Sequence, residues 1–267
     1  MLRMTLRWRI LVAMAKLIVH GQAWRVDVRG LEHVPTDGGA VLAFNHHSYL
    51  DFVMVAWAIH IQLHRPVRFL AKREIWQSGI AGWIVRFADA VPVDRGSRTG
   101  RASAFAAATV ALRNGDLVGV APEQTISPSH ELLPFRTGAA RMAQLGGVPI
   151  IPVIGWGTQR AVPWRGSIRP RFRLPVTVDY GPALHVGPDD HVVTATAELQ
   201  ERMEAMLRDV QDRYPDRPRP GQDASWLPAR LGGTAPSHAE VLARHREREH
   251  TWDEDPGDEH PGDAPAA

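Results

Sequence analysis

Two histidines, a serine and an aspartate crowd into FNHHSYLDF, residues 44–52, directly after the apolar run AVLA. His46 and Asp51 are five residues apart, which on one continuous α-helix turns their side chains about 140° from each other. They meet if His46 occupies the turn before a helix and Asp51 its first turn. The carboxylate then accepts one imidazole N–H, fixes the tautomer and steadies the imidazolium, while the other ring nitrogen takes a proton from a hydroxyl. This is a base with its orienter and no evident protein nucleophile, so the substrate would bring the nucleophile. Three other readings compete. Ser48 could attack, but no G-x-S-x-G elbow surrounds it and it suits a helix N-cap. His46, His47, Asp51 and Glu123 could hold a metal, but adjacent histidines diverge and no second histidine pair stands at ligand spacing. A purely structural polar turn is the third.

The elements that must position these residues alternate between short apolar runs and helical patterns. GGAVLAFNHH reads as a buried strand, SYLDFVMVAWAIHIQL as a helix and RPVRFLAKREIW as a strand and loop. SGIAGWIVRFADAVPVDRG runs from helix to strand, SRTGRASAFAAATVALRNGD is an alanine-rich helix and LVGVAPEQT a strand. RTGAARMAQLGG, VPIIPVIGW, the late strands of RPRFRLPVTVDYGPAL and a long helix over HVVTATAELQERMEAMLRDVQDRY follow. Such alternation predicts an α/β fold with a mostly parallel mixed sheet flanked by helices. His46, Asp94-Arg95 and Glu123 each follow an apolar strand, and functional groups of such sheets gather at strand carboxyl ends.

Composition narrows the partners. The 31 basic and 29 acidic residues nearly cancel, yet seven acidic residues and no Lys or Arg fall in 249–267. The remainder holds a surplus of nine positive charges, which favours anionic partners. No nucleic-acid recognition motif accompanies it, so nucleic acid is not expected. Without cysteine there is neither a disulfide nor a thiol nucleophile, as suits a reducing compartment. Residues 1–25 place Arg3, Arg7, Arg9 and Lys16 among Leu, Ile, Val and Trp. They suit an amphipathic helix on an anionic membrane surface, or a basic helix packed on the domain. Trp8, Trp24, Trp76 and Trp83 suit either an interface or a core. Residues 26–214 form the expected domain, and 215–267 read as a largely mobile Pro/Arg-rich, then acidic, tail with one short charged helix.

The residues also carry a resemblance. NHHSYLD resembles the Asn-His-x-Ser-x-x-Asp block of the 1-acylglycerol-3-phosphate acyltransferase family. FLAKREIW resembles its Lys-x-Glu block, AVPVDR its second block, APEQTIS its third and FRTGAARMAQLGGVPIIPV the segment through its fourth. Order and spacing agree from about residue 30 to 155. The resemblance implies His46 as general base with Asp51 as partner, and direct attack of a lysophospholipid hydroxyl on the thioester of acyl-CoA or acyl-carrier protein. It implies Arg95 and Lys72 on the acceptor phosphate, and Glu123 and Thr125 beside acceptor hydroxyls or those cations. Asn45, Ser48, Asp94 and Pro122 complete the motifs. No cofactor or metal is implied beyond the acyl donor itself, and the expected setting is a peripheral protein on the cytoplasmic face of a bacterial cell membrane. The many Arg, Ala, Gly and Pro residues suggest a GC-rich genome. Three departures bear on the acceptor: Asp89 and Gln124 stand where the family usually has glycine, and Ile126 where it has arginine. Arg98 or Arg136 are candidate substitutes. The expected product is phosphatidic acid. A different lysolipid, glycolipid or polyol acceptor is the alternative, and a non-catalytic lipid-binding protein the third option.

Overall fold

The structure, a computed structural model, describes residues 6–72, 91–93, 98–164 and 167–254. Seven strands form one sheet: β1 (Arg25–Arg29), β2 (Ala40–Phe44), β3 (Val67–Lys72), β4 (Val91–Val93), β5 (Leu117–Val120), β6 (Ile150–Trp156) and β7 (Pro175–Tyr180). Their order is β1-β7-β6-β2-β5-β3-β4, and every neighbouring pair is parallel except β6–β7. This is the mixed, mostly parallel α/β sheet that the strand–helix alternation predicts.

β2 is buried along its whole length at the middle of the sheet, and period-2 alternation divides its side chains between two cores. Leu42 and Phe44 face a core with Met54, Trp57 and Ile59 of α2 (Asp51–Leu63). Val41 and Ala43 face the other, with Leu112 of α3 (Arg98–Arg113), Met142 of α4 (Gly138–Gly146) and Leu199, Met203 and Leu207 of α5 (Val192–Arg213). Parallel registers Ala43↔Val120 and Phe44↔Val153 set the carboxyl ends of β5, β2 and β6 side by side. Whatever follows these three strands is thereby brought together.

α1 (Leu6–Gly21) buries Ala15 and Val19 in the first core beside Trp24 and Trp57, and leaves Ile10, Met14, Leu17 and Ile18 exposed. So the helix packs on the domain along one face and is apolar on another. Among the described residues no helix is long and apolar enough to cross a membrane. Trp24 belongs to the core, while Trp76 and Trp83 lie outside the described residues. The helix expected from residue 78 lies outside them too, and RPRFRLPVTVDYGPAL yields one strand, β7.

Part of the chain from Pro215 onward, read from the sequence as largely mobile, packs on the domain. Trp226 and Leu227 enter the second core, Val241 is buried, and α6 (His238–Glu254) is capped reciprocally by Ser237 and Glu240. Low hydrophobicity hid two large anchors in that segment. Residues 255–267 lie outside the described ones.

Candidate active site

β2 ends at Phe44 and the next six residues form a turn before α2 starts at Asp51. Asn45 replaces the next rung of the ladder with its side chain. Its Nδ2 donates to the Gly155 carbonyl at 2.9 Å, and its Oδ1 accepts the Gly155 N–H at 2.7 Å. The turn is thus fixed to β6 before it reaches the histidines.

His46 Nδ1 lies 3.3 Å from Asp51 Oδ2, with the imidazole 22% exposed and the carboxylate 1% exposed. Asp51 sits in the first turn of α2, where the helix N-terminus favours an anion. The same Oδ2 accepts the N–H groups of His47 at 2.6 Å and Ser48 at 2.7 Å. Oδ1 accepts the Thr158 hydroxyl at 2.6 Å. Four donors therefore hold one carboxylate. With Nδ1 committed to Asp51 as donor, Nε2 is the nitrogen left to act as base. The His-x-x-x-x-Asp pair meets in the way its spacing requires, histidine in the turn and aspartate in the helix.

The contacts that the structure gives Glu123 are with the protein's own backbone. The glutamate is buried, and its two oxygens accept backbone N–H groups, Oε1 from His46 and Oε2 from Leu133, each at 2.9 Å. Burial pushes its carboxyl up to about 8, against the pull of those two N–H donors. The Ser127 N–H meanwhile donates to the His46 carbonyl at 3.0 Å. The 123–127 loop thus grips His46 by its backbone on both sides, and each Glu123 oxygen has a donor.

Ser48 is not the N-cap of α2. The helix begins three residues later, and Ser48 Oγ donates to the Val162 carbonyl at 2.7 Å and accepts the Leu50 N–H at 3.2 Å. A hydroxyl spent on a turn is not poised as a nucleophile. Pro122 is buried and its carbonyl accepts the Arg136 N–H at 3.0 Å, which sets Arg136 against the third block. Thr125 is half-buried in the same loop, and Ile126 is buried, 6% exposed. Lys72 closes β3, paired with Val93 of β4, but its side chain is outside the description. Asp94 and Arg95 lie outside the described residues, as does Asp89.

Thr158 was missed. It follows β6 in a single turn of 3-10 helix after Gly157, whose φ is 108°. A Cβ at Gly157 would come within 2.4 Å of the Pro175 carbonyl, so only glycine brings the chain round to present Thr158 to Asp51. A lone threonine 107 residues from its partner leaves no pattern to read; only the parallel β2–β6 pairing joins them.

Residues 25–156 match the family model described as acyltransferase. Over 132 residues the chain is 36% identical to human 1-acyl-sn-glycerol-3-phosphate acyltransferase alpha, covering 49% of this chain and 45% of the human protein. It is 30% identical over 127 residues to the Bacillus subtilis 1-acyl-sn-glycerol-3-phosphate acyltransferase, covering 48% of this chain and 60% of that protein. It is 28% identical over 141 residues to the chloroplastic BAT2 of Brassica napus, covering 52% of this chain and 40% of BAT2. The match thus spans less than two thirds of each relative's length. The fold is similar to the crystal structure of the 1-acyl-sn-glycerophosphate acyltransferase PlsC from Thermotoga maritima. The TM-score is 0.61 at 24% identity, over 79% of this chain and 83% of that one.

Proposed function

Because the chain belongs to the 1-acylglycerol-3-phosphate acyltransferase family, we propose that it transfers a fatty acyl group from a thioester donor, acyl-CoA or acyl-carrier protein, to the hydroxyl of a lysophospholipid. His46 Nε2 removes the hydroxyl proton as the oxygen bonds to the thioester carbonyl carbon. The carbon–sulfur bond then breaks, and the imidazolium returns the proton to the departing thiolate. Asp51 keeps the imidazole oriented and steadies its charged form, while the bound acceptor supplies the alignment on which such transfers depend. The observation that supports this reading is the His46–Asp51 pair, half-open on the histidine side and closed on the aspartate side, at the carboxyl end of the central strand.

The acceptor best supported is 1-acylglycerol-3-phosphate, with Arg95 and Lys72 as the phosphate ligands, at a membrane surface on the cytoplasmic side. One observation favours a second reading. Ile126 is buried where the family places a cation, so a less anionic lysolipid would lose less in this site.

Purified protein given labelled acyl-CoA and a panel of lysophosphatidic acid and neutral lysolipids tests both. A labelled phosphatidic acid that disappears with His46→Ala is the expected result. A product from neutral lysolipids alone moves the acceptor to the second reading, and a product undiminished by His46→Ala rejects the base.

A further inference from the structure

Beyond the active-site turn, the three most exposed large apolar side chains among the described residues are Leu17 at 75%, Phe172 at 75% and Ile168 at 72%. The loop that carries Ile168 and Phe172 is tied to the end of α1, the helix that carries Leu17. Gln22, just past the end of α1, holds the loop from both of its ends: its Oε1 accepts the Arg171 N–H at 2.8 Å and its carbonyl the Arg173 N–H at 2.7 Å. Trp24 Nε1 donates to the Arg171 carbonyl at 2.8 Å. Phe172 is therefore held outward between two anchored residues, beside a helix whose outer stripe is Ile10, Met14 and Leu17. Large apolar groups grouped in this way mark an interaction surface, whereas single ones do not.

The charge beside the loop is mainly positive. A cavity of about 480 Å³ next to the loop is lined by Arg160, Arg171, Arg217 and Arg219 together with Asp216 and Asp223. Both carboxylates are already engaged, Asp216 by Arg160 at 2.5 Å and Asp223 by Arg169 at 2.5 Å. Among the described residues no carboxylate pairs with Arg171 or Arg219, whereas Arg217 donates to the carbonyls of Gln211, Asp212, Tyr214 and Asp216 and so closes the end of α5. Arg160, stacked 4.3 Å over the Trp226 ring, keeps a buried Nε with no hydrogen-bond partner. Guanidinium groups around a cavity suit a phosphate oxygen cluster.

We propose that residues 167–173 are a membrane-docking loop for an anionic bilayer. Ile168 and Phe172 enter the boundary between headgroups and acyl chains, and Arg171 and Arg219 at the cavity hold a phospholipid headgroup phosphate. This deepens the reading of an enzyme that works on membrane lipids and rests on it for its purpose. It places a second contact beside α1, on the stretch that follows the matched family segment.

Vesicle sedimentation of the full chain tests it without turnover, so its outcome is separate from that of the acyl-transfer assay. Phosphatidylcholine vesicles with and without phosphatidylglycerol are compared for the wild type, an Ile168→Ser/Phe172→Ser variant and an Arg171→Gln/Arg219→Gln variant. Burial of two apolar side chains predicts about tenfold or greater weakening in the serine variant on both vesicle types. The glutamine variant loses the preference for phosphatidylglycerol. Wild-type binding by the serine variant, with Leu17→Ser alone lowering it, assigns docking to α1 and overturns the proposal. Equal binding of the wild type to both vesicle types overturns the headgroup site. Absence of acyl transfer in every protein, with loop-dependent binding intact, counts against the function and not the loop.

Discussion

The turn after β2 has two sides, and its adjacent histidines divide them. On one side His46 is 22% exposed, pairs with Asp51 and is gripped through its backbone by the 123–127 loop. On the other, His47 is wholly buried, its ring meeting His130 and Trp156 edge to face at 5.7 and 5.6 Å. His47 Nδ1 lies 3.0 Å from Asn45 Nδ2 and must accept, so its proton is on Nε2. That Nε2, His130 Nδ1 and Trp156 Nε1 have no hydrogen-bond partner among the described residues. Burial, and then the neighbouring histidines, hold His47 well below the usual imidazole range. Two identical side chains one residue apart are thus assigned opposite duties by what surrounds them. One is open to solvent and held against a carboxylate, and the other is kept neutral as part of the core.

Exchanging the damage tests that division most severely. His46→Ala is expected to cut turnover by about 100- to 10,000-fold, the range for losing a general base, with the urea midpoint unchanged. His47→Ala should do the reverse, costing roughly 2–4 kcal/mol of stability as large-to-small changes in a packed core do, with turnover per folded molecule kept within a few-fold. If His47→Ala silences a protein that remains folded, the two sides are not separate.

Acid separates the sides next. His130 is pushed down from 6.5 to about 4, chiefly by burial. The unfolded chain therefore takes its proton first as pH falls, and the stability this residue contributes is whole above pH 6.5 and lost on the way down to about 4. The loss amounts to about 3 kcal/mol at most. Glu123 has the opposite sign, because its carboxyl is raised from 4.5 to about 8 and stability falls as pH climbs through that interval. Urea unfolding at a series of pH values should show a shallower acid limb for His130→Asn and a shallower alkaline limb for Glu123→Gln. Unchanged limbs in both would mean that other groups govern the pH response.

Thr158 probes the His46 side from a distance. Thr158→Val leaves Asp51 Oδ1 without its donor and should cost about 1–3 kcal/mol. A positioning role further predicts roughly tenfold slower turnover with KM little changed, and recovery in Thr158→Ser, which restores the hydroxyl. A loss of stability without a change in turnover would make Thr158 structural only.

How far the sequence reached follows the same divide. Apolar runs ending in polar turns were enough to put His46 and Glu123 at the ends of central strands, because strand burial and strand ends are local signals. The spacing of His46 and Asp51 was enough for their geometry, because both lie within one turn-and-helix. What stayed hidden was the partner of each group: Thr158 for Asp51, the His46 and Leu133 amides for Glu123, Gly155 for Asn45. These depend on which strands become neighbours, and β6 and β2 are joined only by sheet order. The packed segment beyond Pro215 was hidden differently, since Trp226 and Leu227 are two anchors in a stretch whose average composition is polar.

The smallest effect sharpens the comparison further, because each side of the turn contains a non-glycine residue in the left-handed region, Gln124 at φ 60° and His130 at φ 58°. Left-handed backbone costs a residue with a Cβ about 1–2 kcal/mol, and glycine returns part of that gain through its freer unfolded chain. On the His46 side the 123–127 loop acts on His46 through the Glu123 carboxylate and the Ser127 amide, neither of which needs the side chain at 124. Gln124→Gly should therefore leave turnover unchanged, with the relieved backbone offsetting what the side chain's own contact contributes to stability. On the buried side His130→Gly relieves the same backbone but removes a ring packed on His47 and Trp156, so it should destabilise. A thermal midpoint held in the first variant and lowered in the second would show that the ring at 130 outweighs its backbone strain, as the side chain at 124 does not. A Gln124→Gly protein that loses turnover would instead make the glutamine side chain part of the acceptor site, at the position where this chain departs from its family.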